Sequence, residues 1–305
     1  MRSVSFLSVA LALGPAAVAA ASGTLGFSLG CKKPDGSCKQ TSDYKADFDA
    51  LQPISKLVRI YAASQCDTAK NIIPAAKSNG FKVVLGVWPD TQESFDADTA
   101  ALQASVPGNE DVVEALTVGS ETLYRGNFTG QQLLSKIQTV QKMFPTVTVG
   151  TADSWNKFAD GTADPLITGN VTYLLTNAFA YWQGTDIDNS TGTYFNDIAQ
   201  AIKRIQTIAG DNAKNIRIIN GETGWPTDGG SNYGPAEAGT NNAAQFFKQG
   251  VCGMLEWGVS VFYFEAFDEP WKPHSVGDNG QAMDETHWGL YTADRQIKFD
   301  ASCGY

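Results

Sequence analysis

Short apolar segments alternate with amphipathic segments along nearly the whole chain. Eight segments are apolar enough to be strands buried on both faces: residues 24–29, 57–61, 81–88, 112–119, 147–150, 174–181, 216–220 and 259–264. Strands of this kind, separated by helices, are typical of parallel sheets covered by helices. Eight such units in succession predict an α/β fold, a closed (β/α)8 TIM barrel.

The segments between the predicted strands carry helix start and stop signals. Thr129 is placed to cap a helix, Gln132 completes a capping box, and apolar residues then recur at helical spacing up to Phe144. A later run of isoleucines with the same spacing stops at Gly210, and a shorter helix within residues 67–80 ends on Asn-Gly. These helices should lie against the barrel wall, and their apolar residues should be core.

The first 21 residues have the pattern of a secretory signal peptide. Arg2 precedes an apolar run over residues 4–13, and residues 17–19 supply the small-x-small pattern of a cleavage site. The run is shorter than the roughly 20 residues that span a bilayer. We expect cleavage within residues 19–21 and a secreted, extracellular protein, with residues 22–305 forming one domain. Three glycosylation sequons, at Asn127, Asn170 and Asn189, fit this route.

The net charge and the aromatic content of the chain indicate which kinds of molecule it can bind. The formal net charge is −10, which argues against nucleic acid or anionic membrane surfaces because phosphate binding needs clustered Lys and Arg. Neutral polymers remain allowed, and the 7 Trp and 10 Tyr supply aromatic faces for them. We expect a monomer.

The five cysteines predict disulfides rather than a metal site. Metal-ligand spacing is absent and the chain has 2 histidines, so we expect no metal and no cofactor. In a secreted protein an odd number of cysteines leaves one thiol outside the disulfides. We predict a bridge between Cys252 and Cys303, which ties the C-terminal tail to the last helix, and one further bridge among Cys31, Cys38 and Cys66.

Active sites of barrels form at the carboxyl ends of the strands, so the residues that follow each predicted strand are the candidates. Carboxylates and aromatic residues are concentrated there, at Tyr61 and within residues 88–90, 120–121, 151–153, 181–183, 221–226 and 265–268. These positions hold no histidine, no cysteine and no glycine-rich phosphate loop. Two carboxyl groups beside aromatic platforms are what cleavage of a glycosidic bond requires.

Among these carboxylates, Glu121 and Glu222 stand out by position. They follow the fourth and the seventh predicted strands, and strands three apart in an eight-stranded ring face each other across the axis. Either glutamate alone is better explained as a helix cap or an ion-pair partner. Both together, on facing strands, predict a catalytic pair.

Two segments resemble the signature segments of glycoside hydrolase family 17. They are residues 118–125, VGSETLYR, and residues 221–226, GETGWP. Supporting stretches at 23–27, 177–182 and 264–272 extend the resemblance over essentially the whole mature chain. The best match is the fungal cell-wall branch of β-1,3-glucanases and glucanosyltransferases.

The resemblance implies a (β/α)8 barrel and a retaining mechanism, with Glu222 as nucleophile and Glu121 as general acid/base. It also implies β-1,3-glucan as the substrate and the cell wall as the location. Ser120 stands where many relatives have an asparagine that would contact the 2-hydroxyl of the sugar. A serine reaches less far, so the residue that makes this contact stays open.

Other site residues are assigned by position. We predict that Tyr181 donates to Glu222, and that Tyr61, Trp225 and Trp271 stack on sugar rings. For Trp88 and Trp155 the interpretation as packing residues is preferred. Glu265, Glu269 and Lys272 should form a charged network beside the cleft, and whether it contacts substrate stays open.

Three functions fit these observations. The first is an enzyme that hydrolyses β-1,3-glucan or transfers the cut chain to another glucan. The second is another barrel hydrolase, such as a β-1,4-glucanase or mannanase, which the GETGWP segment disfavours. The third is a non-catalytic wall lectin, which the two glutamates disfavour.

Overall fold

In the computed structural model, which describes residues 22–228, 232–273, 275–276 and 282–304, eight parallel strands close into a barrel in the order of the sequence. The strands are β1 (Leu25–Ser28), β2 (Leu57–Arg59), β3 (Lys82–Val87), β4 (Val113–Ser120), β5 (Val149–Ser154), β6 (Tyr173–Asn177), β7 (Arg217–Thr223) and β8 (Val261–Tyr263). A separate antiparallel pair is formed by β9 (Ser275–Val276) and β10 (Ala282–Met283). The predicted (β/α)8 barrel is confirmed, as a single α/β domain.

The helices cover the outside of this barrel. They are α1 (Thr41–Leu51), α2 (Thr68–Asn79), α3 (Gln92–Ser105), α4 (Gly130–Met143), α5 (Trp155–Ala159), α6 (Asp164–Thr168), α7 (Ile187–Ala209), α8 (Thr240–Phe246) and α9 (Cys252–Glu256), with a π-helical turn at Phe247–Val251 between the last two. The predicted start and stop signals are confirmed. The Thr129 side chain accepts the Gln132 N–H, Gly210 caps α7, and Gly80 ends α2 in the left-handed conformation, with φ 69°.

The strand boundaries differ from the predicted ones where polar residues enter the mouth of the barrel. β5 continues through Asp153 and Ser154, beyond the predicted end at 150. β6 ends at Asn177 instead of 181, and Tyr181 lies in a 3-10 turn, Tyr181–Gln183. The predicted strands were defined by apolarity alone. The prediction therefore omits the polar end of β5 and includes the apolar loop after β6.

Side chains on the two faces of the strands form two cores. One lies between the strands and the helices and includes Val83, Leu85 and Leu174. The other includes the alternate positions Val84 and Tyr173, together with Ala115, Ala152, Leu175, Ile219 and Phe262. Because side chains fill the interior, the barrel is not a pore, and the space for a ligand lies at its carboxyl end.

Two disulfides fasten segments to this frame. Cys252 at the start of α9 is bonded to Cys303, as predicted, and the second bridge joins Cys38 to Cys66. Cys31 is a buried free thiol. Disulfides are typical of the secretory route. The predicted signal peptide lies outside the described residues, and within the described ranges no helix is long and apolar enough to cross a membrane.

Candidate active site

A cleft of about 760 Å³ opens at the carboxyl ends of the strands, and Glu121 and Glu222 both line it. Its other lining residues are mostly aromatic or polar: Tyr61, Trp88, Ser120, Tyr124, Arg125, Ser154, Trp155, Asn156, Asn177, Phe179, Trp182, Gln183, Tyr233, Phe264 and Glu285. A somewhat larger cavity, about 870 Å³, lies between the C-terminal tail and α1, and neither glutamate borders it. Carboxylates and aromatic faces therefore converge in the 760 Å³ cleft.

Glu222 lies within β7 and is held by a buried arginine from β2. The Arg59 guanidinium donates to Glu222 Oε1 at 2.8 Å and to the Gly221 carbonyl at 2.9 Å. Its other terminal nitrogen donates to Ser120 Oγ at 3.0 Å, and that hydroxyl is 3.3 Å from Glu222 Oε1. An adjacent cation favours the ionised form of a carboxyl group. Arg59 thus fixes the orientation of the Glu222 carboxyl group, which faces the cleft.

This ion pair predicts a large stability effect. The Arg59 side chain is 1 % exposed, and removing one partner of a buried pair costs about 3–5 kcal/mol because the other charge is left uncompensated. We expect Arg59→Met to lower the free energy of unfolding by that amount, measured by chemical denaturation. Arg217→Met is the matched control, since Arg217 is 56 % exposed where it pairs with Glu114, and exposed pairs contribute about 0–1 kcal/mol. Equal losses in the two variants would contradict the prediction.

Glu121 follows β4 directly, in an unusual backbone conformation. Its φ is 57°, a left-handed value that is uncommon for residues other than glycine and is often found at functional sites. The Glu121 N–H donates to the Ala152 carbonyl at 3.0 Å, and Asn177 Nδ2 donates to Glu121 Oε1 at 3.1 Å. The side chain is thereby turned into the cleft from the wall opposite β7.

The surroundings of Glu121 favour its protonated form. Burial, followed by the negative charge of Glu222, raises the pKa of Glu121 to about 7, against the opposing effects of Asn177 and Arg125. Glu222 has an arginine as its direct partner, whereas Glu121 has a neutral amide. Two carboxyl groups in such different environments are typical of a site where one acts as an acid and the other stays ionised.

Two predicted substrate-binding residues lie in the cleft and two lie beneath it. Tyr61 and Ser120 line the cleft. Tyr181 and Trp225 are 2 % and 0 % exposed and pack edge-to-face against each other. Burial raises the pKa of Tyr181 to about 12, opposed by a hydrogen bond with the backbone of Tyr233. The predicted stacking of Trp225 on sugar is wrong, because no face of its ring is exposed.

Arg59 is a donor to Glu222 that the sequence analysis did not predict. The Tyr181 ring packs edge-to-face against Trp182 and Trp288, and its hydrogen bond to Glu222 stays a prediction. Trp182 lines the cleft and stacks on Trp288, with ring centroids 5.0 Å apart. Tyr181 therefore supports the cleft from below.

The charged network predicted for the last loop is confirmed. Lys272 Nζ lies 2.9 Å from Glu265 and 3.1 Å from Glu269, and 3.9 Å from Glu285. Burial alone would lower the pKa of Lys272, but the carboxylates raise it. Burial raises the pKa of Glu265 well above its ordinary value. Of these four residues Glu285 lines the cleft, so the network reaches the site through it.

Trp271 lies beside this network, outside the cleft lining. The Lys32 ammonium is over its ring, 4.7 Å from the centroid. Substrate contacts by Trp271, Glu265 and Lys272 stay predictions.

The sequence analysis missed several residues of the cleft. Arg59 lies inside an apolar strand, and a charge at such a position is itself a signal, because buried charges need partners. Asn177 stands at the true end of β6. Trp88 and Trp155, interpreted as packing residues, both line the cleft and are half-buried.

The barrel and the two unlike carboxyl groups define a glycoside hydrolase, and comparison with known proteins specifies which kind. The family model for the BtgE/BtgC glycoside hydrolase domain matches residues 26–289. A glucan 1,3-β-glucosidase of Arthroderma benhamiae is 63% identical over 303 residues, 99% of this chain and 98% of that protein. One from Saccharomyces cerevisiae is 40% identical over 295 residues, 93% of this chain and 92% of that protein.

Solved structures agree with this. A family 17 β-1,3-glucanosyltransferase from Rhizomucor miehei is 30% identical, with a TM-score of 0.76, over 90% of this chain and 95% of that one. An active-site mutant of the R. miehei β-1,3-glucanosyltransferase, 29% identical, was solved in complex with laminaritriose, with the same TM-score and coverage. The chain belongs to the family of fungal glucan 1,3-β-glucosidases, and its predicted resemblance to glycoside hydrolase family 17 is confirmed.

Proposed function

We propose that this protein cleaves β-1,3-glucan with retention of configuration, and that it transfers the cut chain to water or to a second glucan. Glu222 is the nucleophile and Glu121 the general acid/base. The named activity of the relatives supports the substrate. The observation that carries the division of roles is the contrast between the two carboxyl groups: Glu222 is paired with the Arg59 cation, and burial raises the pKa of Glu121 to about 7.

In the first step, a Glu222 carboxylate oxygen attacks C1 of the sugar while the glycosidic C1–O bond breaks. Glu121 transfers its proton to the departing oxygen, so the leaving chain departs with a free 3-hydroxyl. The product is a glycosyl ester on Glu222. Arg59 holds one oxygen of Glu222 and fixes the direction of the other.

In the second step, Glu121 is a carboxylate and acts as the base. It takes a proton from water, or from a hydroxyl of a second glucan, while that oxygen attacks C1. The ester bond breaks and Glu222 returns to its ionised form. The two inversions together retain the β-configuration.

The acid/base protonates the leaving-group oxygen, so the leaving chain and the acceptor bind on the Glu121 side of the cleft. The aromatic residues on that side are Trp88, after β3, Tyr124 in the loop after β4, and Trp155, after β5. Arg125 covers Trp88, 4.9 Å from the ring centroid. Stacking on such faces suits an uncharged sugar chain, and a bound acceptor displaces the water that would otherwise hydrolyse the ester.

The cellular setting follows from the same features. Two disulfides fit a secretory route, and a net charge of −10 suits an uncharged polymer better than a polyanion. We propose that the protein is secreted and acts as a monomer on cell-wall glucan.

Transfer is tested with a single laminari-oligosaccharide at millimolar concentration. We expect products longer than the starting chain, in a share that rises with substrate concentration, because more acceptor sites are then filled. Chromatography of the products over time measures this share. If every product were shorter than the substrate at all concentrations, transfer would be excluded and a retaining glucanase would remain.

The same assay with other polymers distinguishes the alternative functions. Release of reducing ends from cellulose or mannan at rates comparable to laminarin would indicate another barrel hydrolase. Binding of laminarin without any release would indicate a lectin.

A further inference from the structure

We propose that Asp153 is a positioning residue for the acid/base: it fixes the turn that carries Glu121 and places a second negative charge beside it. This inference rests on the proposed role of Glu121. Asp153 lies near the end of β5, in the strand next to β4, and its side chain is 0 % exposed.

Asp153 accepts hydrogen bonds from the backbone of the Glu121 turn. Its Oδ2 accepts the Leu123 N–H at 2.8 Å, and its Oδ1 accepts the Tyr124 N–H at 3.1 Å. Oδ1 also accepts the Ser154 N–H at 2.9 Å. At the N-cap of a helix, a side-chain carboxylate accepts backbone N–H groups in the same way. Here the carboxylate belongs to the neighbouring strand. Asp153 thus binds the loop after β4 to the end of β5.

Two backbone contacts fix the ends of this turn, and Asp153 binds its middle. The Glu121 N–H donates to the Ala152 carbonyl at 3.0 Å, and the Glu121 carbonyl accepts the Arg125 N–H at 2.9 Å. Between these anchors the chain must adopt the left-handed conformation at Glu121, with φ 57°. Without Asp153 two backbone donors lose their acceptors, one of them on Leu123, which is itself buried. The turn would then relax and move the Glu121 carboxyl group.

The negative charge of Asp153, like that of Glu222, raises the pKa of Glu121. The groups that face Glu121 are Glu222 from β7, Asp153 from β5, the neutral Asn177 from β6 and Arg125 from its own loop. Glu222 and Asp153 raise the pKa of Glu121, and Arg125 lowers it.

The donors around Asp153 favour its charged form, although burial opposes this. Burial raises the pKa of Asp153 to about 6, although the backbone donors of Leu123, Ser154 and Tyr124 oppose this, and Arg125 lowers it further. The pKa of Glu121 is about 7. A charged Asp153 favours the protonated form of Glu121. Neutralising Asp153 therefore lowers the pKa of Glu121, so activity is lost at a lower pH on the alkaline side.

The test is Asp153→Asn, assayed on two substrates. A laminari-oligosaccharide needs protonation of its leaving group, whereas a 2,4-dinitrophenyl β-laminaribioside does not. We expect kcat/KM for the oligosaccharide to fall about 100-fold, because misplacing a general acid by about 1 Å has that effect. For the dinitrophenyl substrate we expect a fall of less than about fivefold. The alkaline limb of the oligosaccharide pH profile should move to lower pH.

Asp98→Asn is the matched control. Asp98 is 1 % exposed and also accepts backbone N–H groups of two loops, from Ser64 at 2.7 Å and Trp88 at 2.7 Å. Because Asp98 holds the backbone of Trp88 on the leaving-chain side, this variant should lower the oligosaccharide activity more than the dinitrophenyl activity. It should leave the alkaline limb in place, because Asp98 is not among the groups that face Glu121. If Asp153→Asn behaved in that way, Asp153 would have a structural role and the inference would be overturned.

Two additions keep the result interpretable. Asp153→Ser, which is smaller and neutral, gives the same contrast if the asparagine variant does not fold. Glu121→Ala in parallel tests the proposed function separately. If Glu121→Ala loses activity equally on both substrates, the proposed role of Glu121 is wrong. If Glu121→Ala keeps activity on the dinitrophenyl substrate but the Asp153 variants lose both activities equally, the proposed role of Asp153 is wrong.

Discussion

Replacing Glu222 by alanine is expected to lower turnover of β-1,3-glucan by at least about 10⁴-fold, as loss of a catalytic nucleophile does. Added azide should restore part of the activity on a substrate with a good leaving group. Azide is small enough to occupy the space of the lost carboxylate, and it attacks C1 from the same side. The product of this rescue is the glycosyl azide of opposite configuration, which nuclear magnetic resonance identifies.

The ion pair between Arg59 and Glu222 makes the choice of substitution at position 222 important. Alanine at position 222 leaves Arg59 buried without its anion, which is costly, so we expect Glu222→Ala to be less stable than Glu222→Gln. The glutamine variant keeps a hydrogen-bond acceptor for Arg59 and should be equally inactive, without azide rescue. Glu114→Ala, at the exposed ion pair with Arg217, is the control for loss of a glutamate and should keep full activity. Substantial activity in both Glu222 variants would refute the assignment.

Replacing Glu121 by glutamine is expected to remove the alkaline limb of the pH profile. In the proposed mechanism Glu121 donates a proton, and burial together with Glu222 raises its pKa to about 7. Activity therefore falls as pH rises through about 7. Without an acid at position 121, the rate on glucan should drop by about 10²–10⁴-fold, and no group remains whose deprotonation ends activity.

The dependence of the rate on the leaving group distinguishes loss of the general acid from general damage to the site. A dinitrophenyl leaving group needs no proton, so the glutamine variant should still form the glycosyl ester at Glu222 with such a substrate. The second step lacks its base, so the ester should accumulate and appear as a burst of dinitrophenol. A variant that kept the wild-type pH profile would show that another residue is the acid.

The sequence predicts the barrel and the position of both glutamates in the cleft because these depend on local patterns. Strand apolarity, capping residues and the position of a carboxylate directly after an apolar segment can all be observed within ten residues. The pairing of Cys252 with Cys303 follows from their place near the end of the chain. In each case the neighbours that matter are close in sequence or fixed by barrel topology.

Residues that act across the barrel could not be found in this way. Arg59 contacts Glu222 from 163 positions away, and Asp153 serves a loop 30 positions earlier in the chain. Neither has a neighbour in sequence that indicates its partner. The exposed face of an aromatic ring is equally non-local. Trp225 closely follows β7 but is covered, whereas Trp182 and Trp155 line the cleft.

Chemical trapping tests the proposed covalent bond between C1 of the sugar and Glu222. An activated 2-deoxy-2-fluoro β-laminaribioside forms this ester but hydrolyses it slowly, because fluorine destabilises the oxocarbenium-like transition state. We predict one equivalent of label, found by peptide mass spectrometry on Glu222. Label on Glu121 or Glu285 instead, or no label together with a product of inverted configuration, would contradict the mechanism.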